Sequence, residues 1–315
     1  MDRVFCIGEL LIDFICKDIG KGLKNGISFE KKAGGAPANV AAAVSKLGGN
    51  SYFLGQVGND SFGKYLVDVL EKVNIDTSMM TIDGNTTLSF VAIDGEGERD
   101  FEFHRGSDGD YELDDMKLSH IEKGDIIHFG SATGFLPGKL RDSYFKLLEY
   151  GNKEGIFTSF DPNYRENLIS NDYLDEFIKY CKYFIERVDF IKLSLEEARL
   201  ITGEEDIYNA LECIHSYGGN IVCITLGPKG TLLSNGEDIE IVPSIEVEQV
   251  DSTGAGDAFV GGVLKKLSYE ENKEGIGFDR LKEIIKYGNI VGAMTCTKYG
   301  AIDSIPSKSM VENIF

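Results

Sequence analysis

The residues with the clearest chemical content stand at 251–259, DSTGAGDAF. Gly254 and Gly256 flank Ala255, Asp257 follows at once, and an apolar run begins at Ala258. Glycines let the chain turn tightly and put no side chain in the way of a ligand. A helix starting near Ala255 would aim the N–H groups of its first turn, and the positive end of its dipole, into that turn. Such a turn binds anions. Asp257 would stand beside it. Amides that hold phosphate charge, next to a carboxylate that can take a proton from an attacking hydroxyl, make a centre for phosphoryl transfer. A Gly-rich turn ahead of an acidic helix start also occurs with no function, so the other elements must decide.

Composition narrows the choice. The chain has 315 residues, 42% of them hydrophobic, and a formal net charge of −20. Like charge repels, so neither nucleic acid nor an anionic membrane is expected as a partner. The acidity itself reads as a solvated surface. The six cysteines form no CxxC pair and stand near no His at zinc-ligand spacing, as expected of free thiols in a reducing cytoplasm. The N-terminal apolar stretch is broken by Glu9 and Asp13 and has no signal-peptide layout.

The elements that must position the turn can be read in order. The run 4–7, ending at Gly8, predicts a buried parallel strand. Asp13 lies just beyond it, where open α/β sheets take ligands, and its carboxylate suits sugar hydroxyls, although a surface Asp would look the same. In AGGAPANVAAAVSKLGG, 33–49, Val40, Ala41, Val44 and Leu47 recur at helical spacing. Gly34 and Gly35 before them allow a hinge or a close approach, and Asn39 falls in the first helical turn. A strand is expected at 51–57, then a helix capped by Asp60 and running to about Val73. Residues 86–93 and 99–103 alternate around Asp94-Gly95-Glu96-Gly97 as a hairpin. With the polar, Gly-rich stretch at 17–32, it predicts a small antiparallel β lid made of about 14–33 and 86–105. Arg105 ends that hairpin as either a cation near the site or a surface charge.

The second half alternates strand and helix. Strands are expected at 125–130, 155–160, 189–193 and 220–225, and helices at 137–150, with Pro137 in the first turn, and 279–298. His128 reads as a satisfied core histidine. In DPNYR, 161–165, Asn163 and Arg165 could hold an anionic or polyhydroxylic ligand. Glu196 and Glu197 open a helix, where acidic residues suit the dipole without any metal. Gly227 and Gly230 make a turn on which a nucleotide could lie, followed by a hairpin at 232–242. The order implies an α/β fold: one domain, 1–315, with a mostly parallel twisted sheet, helices on both faces and the β lid. The candidate residues all fall at strand ends or helix starts.

Together, GGAPANVAAAVSKLGG and DSTGAGDAF resemble the two signature motifs of the ribokinase-like (PfkB) carbohydrate kinases. GELLIDF, DPNYR and TLGPKG are most similar to the fructokinase branch. The resemblance covers essentially the whole chain. It implies ATP-dependent phosphorylation of a sugar hydroxymethyl group, a lid that closes over the sugar, a requirement for Mg²⁺ and lid-to-lid homodimers. It assigns Asp257 as catalytic base and Gly254, Ala255 and Gly256 as anion hole. Asp13, Gly34, Gly35, Asn39, Arg105 and Arg165 resemble sugar- or phosphoryl-facing positions. Lys192, Ser194, Thr225, Gly227, Gly230 and Asn289 resemble nucleotide-side positions, Glu197 an indirect Mg²⁺ position, and Asp251 with Thr253 a monovalent-cation (K⁺) site. Ribokinases usually carry Asn-x-x-Glu where this chain reads Ser194-Leu195-Glu196-Glu197, and the Trp often found after DPNYR in fructokinase-like chains has no counterpart here. Fructose is the expected acceptor, with 2-keto-3-deoxygluconate, ribose or a nucleoside as rivals. A silent sugar-binding regulator on the same fold would not need Asp257. No GxxxxGK[ST] is present, and no GxGxxG follows the first strand.

Overall fold

A computed structural model describes residues 1–96, 99–273 and 275–315. Its strands, in chain order, are β1 (Arg3–Ile7), β2 (Leu11–Cys16), β3 (Phe29–Gly34), β4 (Asn50–Leu54), β5 (Gln56–Val57), β6 (Thr81–Ile82) and β7 (Leu88–Ile93). They continue as β8 (Arg99–His104), β9 (Ile126–Phe129), β10 (Phe157–Phe160), β11 (Phe190–Ser194), β12 (Ile221–Thr225), β13 (Thr231–Ser234) and β14 (Ile239–Val242). The main sheet has the order β14-β13-β12-β11-β10-β9-β1-β4. Every neighbouring pair from β12 to β4 is parallel, and β13 and β14 close the far edge as an antiparallel hairpin.

The near-continuous apolar strands follow from burial on both faces. In β1, Val4 and Cys6 join one hydrophobic cluster while Phe5 and Ile7 join the other. The first cluster takes in helices Ala36–Lys46, Ala255–Leu267 and Phe278–Thr295. The second takes in helices Lys139–Glu154, Asn171–Ile185, Leu195–Thr202 and Ile207–Ser216.

The lid is a second sheet of order β3-β2-β7-β8. Its two hairpins, β2 with β3 and β7 with β8, are antiparallel as expected. They are joined by β2 and β7 running parallel, with Asp13 opposite Ser89. The lid strand begins at Leu11 rather than 14, because Leu11 and Ile12 are themselves buried. Gly97 of the expected turn lies outside the described residues. Pro137 falls outside the helix it was expected to open: Gly138 is the N-cap and the helix starts at Lys139, two residues later. The last long helix stops at Thr295. Asp60 does cap its helix, accepting from the amides of Phe62 and Gly63, and it also receives the Thr86 amide at the foot of β7.

Candidate active site

Two helices meet at the site, and their small residues decide how closely. A Cβ placed on Gly261 would lie 2.4 Å from the Ala43 Cβ. Helices Ala36–Lys46 and Ala255–Leu267 therefore touch almost backbone to backbone, which the alanine-rich sequence permits. One turn toward their N-termini, on the same faces, stand Asn39 and Asp257. The Asn39 Nδ2 donates to Asp257 Oδ2 at 2.8 Å. Both side chains are buried.

Asp257 lies in the first turn of its helix, after Gly254 at φ 74°. The left-handed conformation and the neighbouring Ala301, 2.8 Å from a would-be Cβ, both call for glycine at 254. The Ala255 N–H is engaged by Ser252 O at 3.2 Å and the Ala258 N–H by Gly254 O at 2.8 Å. Gly256 and Asp257 lie between them in the first turn, at the open helix end. Burial pushes the Asp257 carboxyl up from its ordinary range. The Asn39 hydrogen bond, Arg165 and Lys192 pull the other way, and Glu197 adds to the rise.

Of the sugar-side candidates, Asn39 and Arg165 act on this carboxylate directly. Asp13, in β2, accepts from Ser89 Oγ at 2.7 Å. Burial raises its carboxyl, with Ser89 and then Arg165 opposing. Arg165 thus acts on both Asp13 and Asp257. Its own guanidinium donates to Asn163 Oδ1 and Tyr164 O, each at 3.3 Å. Asn163 adopts φ 46° and ties the loop to β9 by donating to Gly130 O. Gly34 leaves room for Asp13, since a Cβ there would fall 2.1 Å from Asp13 Oδ2. Gly35 has φ 119°, and a Cβ would fall 2.3 Å from Glu9 O. Arg105 sits at the lid root instead, donating to Pro137 O at 2.6 Å and Thr133 O at 3.4 Å beside Asp108.

On the other flank, Lys192 Nζ lies 3.0 Å from Asp161 Oδ2 and 3.3 Å from a would-be Cβ on Gly256. Burial disfavours its charge, but Asp161, Glu197 and Asp257 outweigh that and raise it, so the ammonium stays charged beside the Gly254–Gly256 turn. Ser194 and Glu197 form a capping box, and Glu197 also accepts from the Tyr164 amide at 2.8 Å. Ser194 thus fills the Asn position of the family motif as a helix cap. Thr225 donates to Leu193 O at 3.3 Å. Gly227 (φ 59°) and Gly230 (φ 102°) shape the turn after β12.

The Asn289 amide is engaged within the protein: Oδ1 accepts from Thr231 at 2.7 Å and Nδ2 donates to Val242 O at 2.9 Å. It pins the edge hairpin to the last long helix. His128 is only half satisfied, with Nδ1 on Ser159 and Nε2 buried without a partner. Burial, with Lys192 nearby, lowers it to about 3, so it stays neutral.

Asp251 Oδ1 receives the Thr253 N–H and Oγ–H, and Oδ2 the Gly300 N–H, joining the signature turn to the chain end. Sequence reasoning missed Asp161, Ser89, Glu9 and Asp108. Asp161 was in plain view in DPNYR; the other three became visible only through their partners.

The profile of the pfkB family carbohydrate kinases matches residues 1–308. Probable fructokinase-7 of Arabidopsis thaliana is 35% identical, over 99% of this chain and 92% of its own length. A double mutant of fructokinase from Vibrio cholerae O395, solved with fructose, ADP and potassium ion, superposes with TM-score 0.85 at 31% identity, covering 99% of this chain and 98% of that one. Aminoimidazole riboside kinase from Salmonella enterica, solved with aminoimidazole riboside and an ATP analog, gives TM-score 0.85 at 26% identity, with 99% of each chain covered. Matched over nearly its whole length by the family profile and by relatives at about 35% identity, the chain belongs to the pfkB family of carbohydrate kinases.

Proposed function

We propose that this chain is an ATP-dependent fructokinase that makes D-fructose 6-phosphate and ADP. The observation that carries the chemistry is the buried Asn39–Asp257 bond at the mouth of the Gly254–Gly256 turn. The similarity to fructokinases favours fructose. Asp13, Ser89 and Arg165 form the polar wall that orients the sugar. Asn39 Oδ1 is buried without a protein partner, and a sugar hydroxyl would supply the missing donor. Asp257 takes the proton from the attacking hydroxyl; its Asn39 bond and the Arg165 charge favour the ionised form against the rise that burial imposes. The Gly256 and Asp257 amides and the Lys192 ammonium face the transferring phosphoryl group and stabilise its charge.

Among the described residues no group of three or more His, Cys, Asp and Glu side chains could hold a metal ion. This fits Mg²⁺, which is usually held by substrate phosphates, water and one or two carboxylates. Asp161 and Glu197 are the carboxylates on that flank, and bound Mg²⁺ would offset phosphate charge. The Asp251–Thr253 turn would take K⁺. A lid-to-lid homodimer suits the exposed Ile15, Ile19 and Ile27 on the lid. No helix among the described residues is long and apolar enough to cross a membrane. The free cysteines suit a cytoplasmic protein.

A coupled assay of ADP release over fructose, ribose, 2-keto-3-deoxygluconate and a nucleoside tests the reading. Fructose should give the highest kcat/KM. Asp257→Asn should lower kcat by roughly 10²–10⁴, the usual worth of a general base, and leave fructose KM within several-fold. Near-normal kcat in that variant would remove Asp257 from the base role.

A further inference from the structure

We propose that Glu9 is a positioning residue for sugar capture: its carboxyl ties the helix start that carries Asn39 to the root of the lid through Ser131, Thr133 and Asp108. The proposal rests on the sugar-kinase reading of the cleft. Every member of this chain is buried; Glu9 is 2% exposed, Asp108 1% and Thr133 0%. Glu9 Oε1 accepts the Ala36 N–H at 3.1 Å, three residues before Asn39. Gly35 packs against the Glu9 carbonyl. The other carboxyl oxygen, Oε2, meets Ser131 Oγ and lies 3.5 Å from Thr133 Oγ1. Thr133 Oγ1 is 2.9 Å from Asp108 Oδ2. On its far side Asp108 receives the Thr87 hydroxyl and faces Arg105. Thr87 precedes β7 and Arg105 follows β8, so they are the two roots of the outer lid hairpin. The Gly106 N–H closes the link by donating to Thr87 Oγ1 at 2.9 Å.

Counting protons shows which form of Glu9 completes the chain. Thr133 has one hydroxyl proton between two carboxyl groups. The shorter distance assigns it to Asp108. An ionised Glu9 keeps the Ser131 Oγ–H and the Ala36 N–H as donors but faces a lone pair of Thr133 Oγ1, so its link toward Asp108 is lost. A protonated Glu9 donates to Ser131 or Thr133, Thr133 donates on to Asp108, and the chain is unbroken. Besides Asp108 and the more distant Arg105, the titratable group facing Glu9 is Tyr144. Its hydroxyl is already engaged, donating to Ile7 O and accepting the Ser131 N–H. Burial pushes Glu9 up to about 7. Asp108 adds to the rise, and the Ser131 and Ala36 hydrogen bonds oppose it.

Steady-state kinetics of wild type, Glu9→Gln, Glu9→Ala and Thr133→Val, on either side of about pH 7, test the proposal. In wild type the fructose KM should rise several-fold as pH passes through that value. Glu9→Gln keeps an acceptor for Ala36 and a donor for the hydroxyls, so its fructose KM should stay low and lose that pH dependence. Glu9→Ala and Thr133→Val should raise fructose KM roughly tenfold, the scale of one charge-assisted hydrogen bond, with ATP KM and kcat little changed. Glu9→Gln behaving like Glu9→Ala, or an unmoved fructose KM in Thr133→Val, would overturn the proposal. Thr133→Val is nearly isosteric and keeps the test alive if Glu9→Ala does not fold. Should wild type phosphorylate no sugar, the kinase reading fails. Hydrogen exchange at amides 34–39 then still decides the tie: Thr133→Val should speed it, and unchanged exchange would break the proposed link.

Discussion

Asn39 and Asp257 stand 218 residues apart in the chain and 2.8 Å apart at the site. The bond depends on the close contact of Ala43 with Gly261, one helical turn below each of them. Packing and chemistry therefore share one pair of helix faces. The same amide that orients the carboxylate also helps to keep it ionised.

The pH profile should reveal that second role. Burial raises the Asp257 carboxyl, and the Asn39 hydrogen bond is the largest of the influences that oppose it. Asn39→Ala removes the donor, so the carboxyl should titrate at higher pH. A base works only when ionised, and the acid limb of kcat/KM should therefore move to higher pH. The check is kcat/KM for fructose across the acid range, compared with wild type.

Gly34 offers a steric test of the sugar side. An added Cβ would sit 2.1 Å from Asp13 Oδ2 and 2.9 Å from its Cγ. Gly34→Ala should displace Asp13 from Ser89. Fructose KM should then rise roughly tenfold or more, the scale of a lost hydrogen bond to a charged group. ATP KM, measured in the same assay, should stay near its wild-type value if Asp13 serves the sugar as proposed.

The Asp161–Lys192 pair predicts a stability effect. Their side chains are 0% and 8% exposed and 3.0 Å apart. Lys192→Met leaves Asp161 buried beside Glu197 and Asp257 without its cation. Removing one partner of a buried pair typically costs roughly 3–5 kcal/mol. Equilibrium urea unfolding should show a loss of that order, and adding Asp161→Asn should recover part of it by removing the uncompensated charge.

Much of this was legible in the residues themselves. Hydrophobic runs and helical spacing announced the alternating strands and helices, because burial on both faces of a parallel sheet demands them. DSTGAGDAF and GGAPAN announced the glycine turns and the two helices that follow them, although the neighbours that forbid a side chain at Gly34, Gly35 and Gly254 come from distant segments. Asp60 was readable as a cap, since a cap bonds within its own turn. The small second sheet could be expected from its hairpin patterns, but its parallel β2–β7 seam was not readable, because pairing across a sheet is not local.

What the tertiary structure decided was the partner of each polar group. Asn289, which by sequence could face a ligand, is engaged by Thr231 and Val242. Glu9 sits in an apolar run and looked like an interruption. Folding buries it against Ser131, more than a hundred positions away, and pushes its carboxyl up to about 7. Residue type and spacing fix what a side chain can do, since propensity and periodicity are local properties. Which donor meets which acceptor, and in what protonation state, depends on segments brought together only by packing.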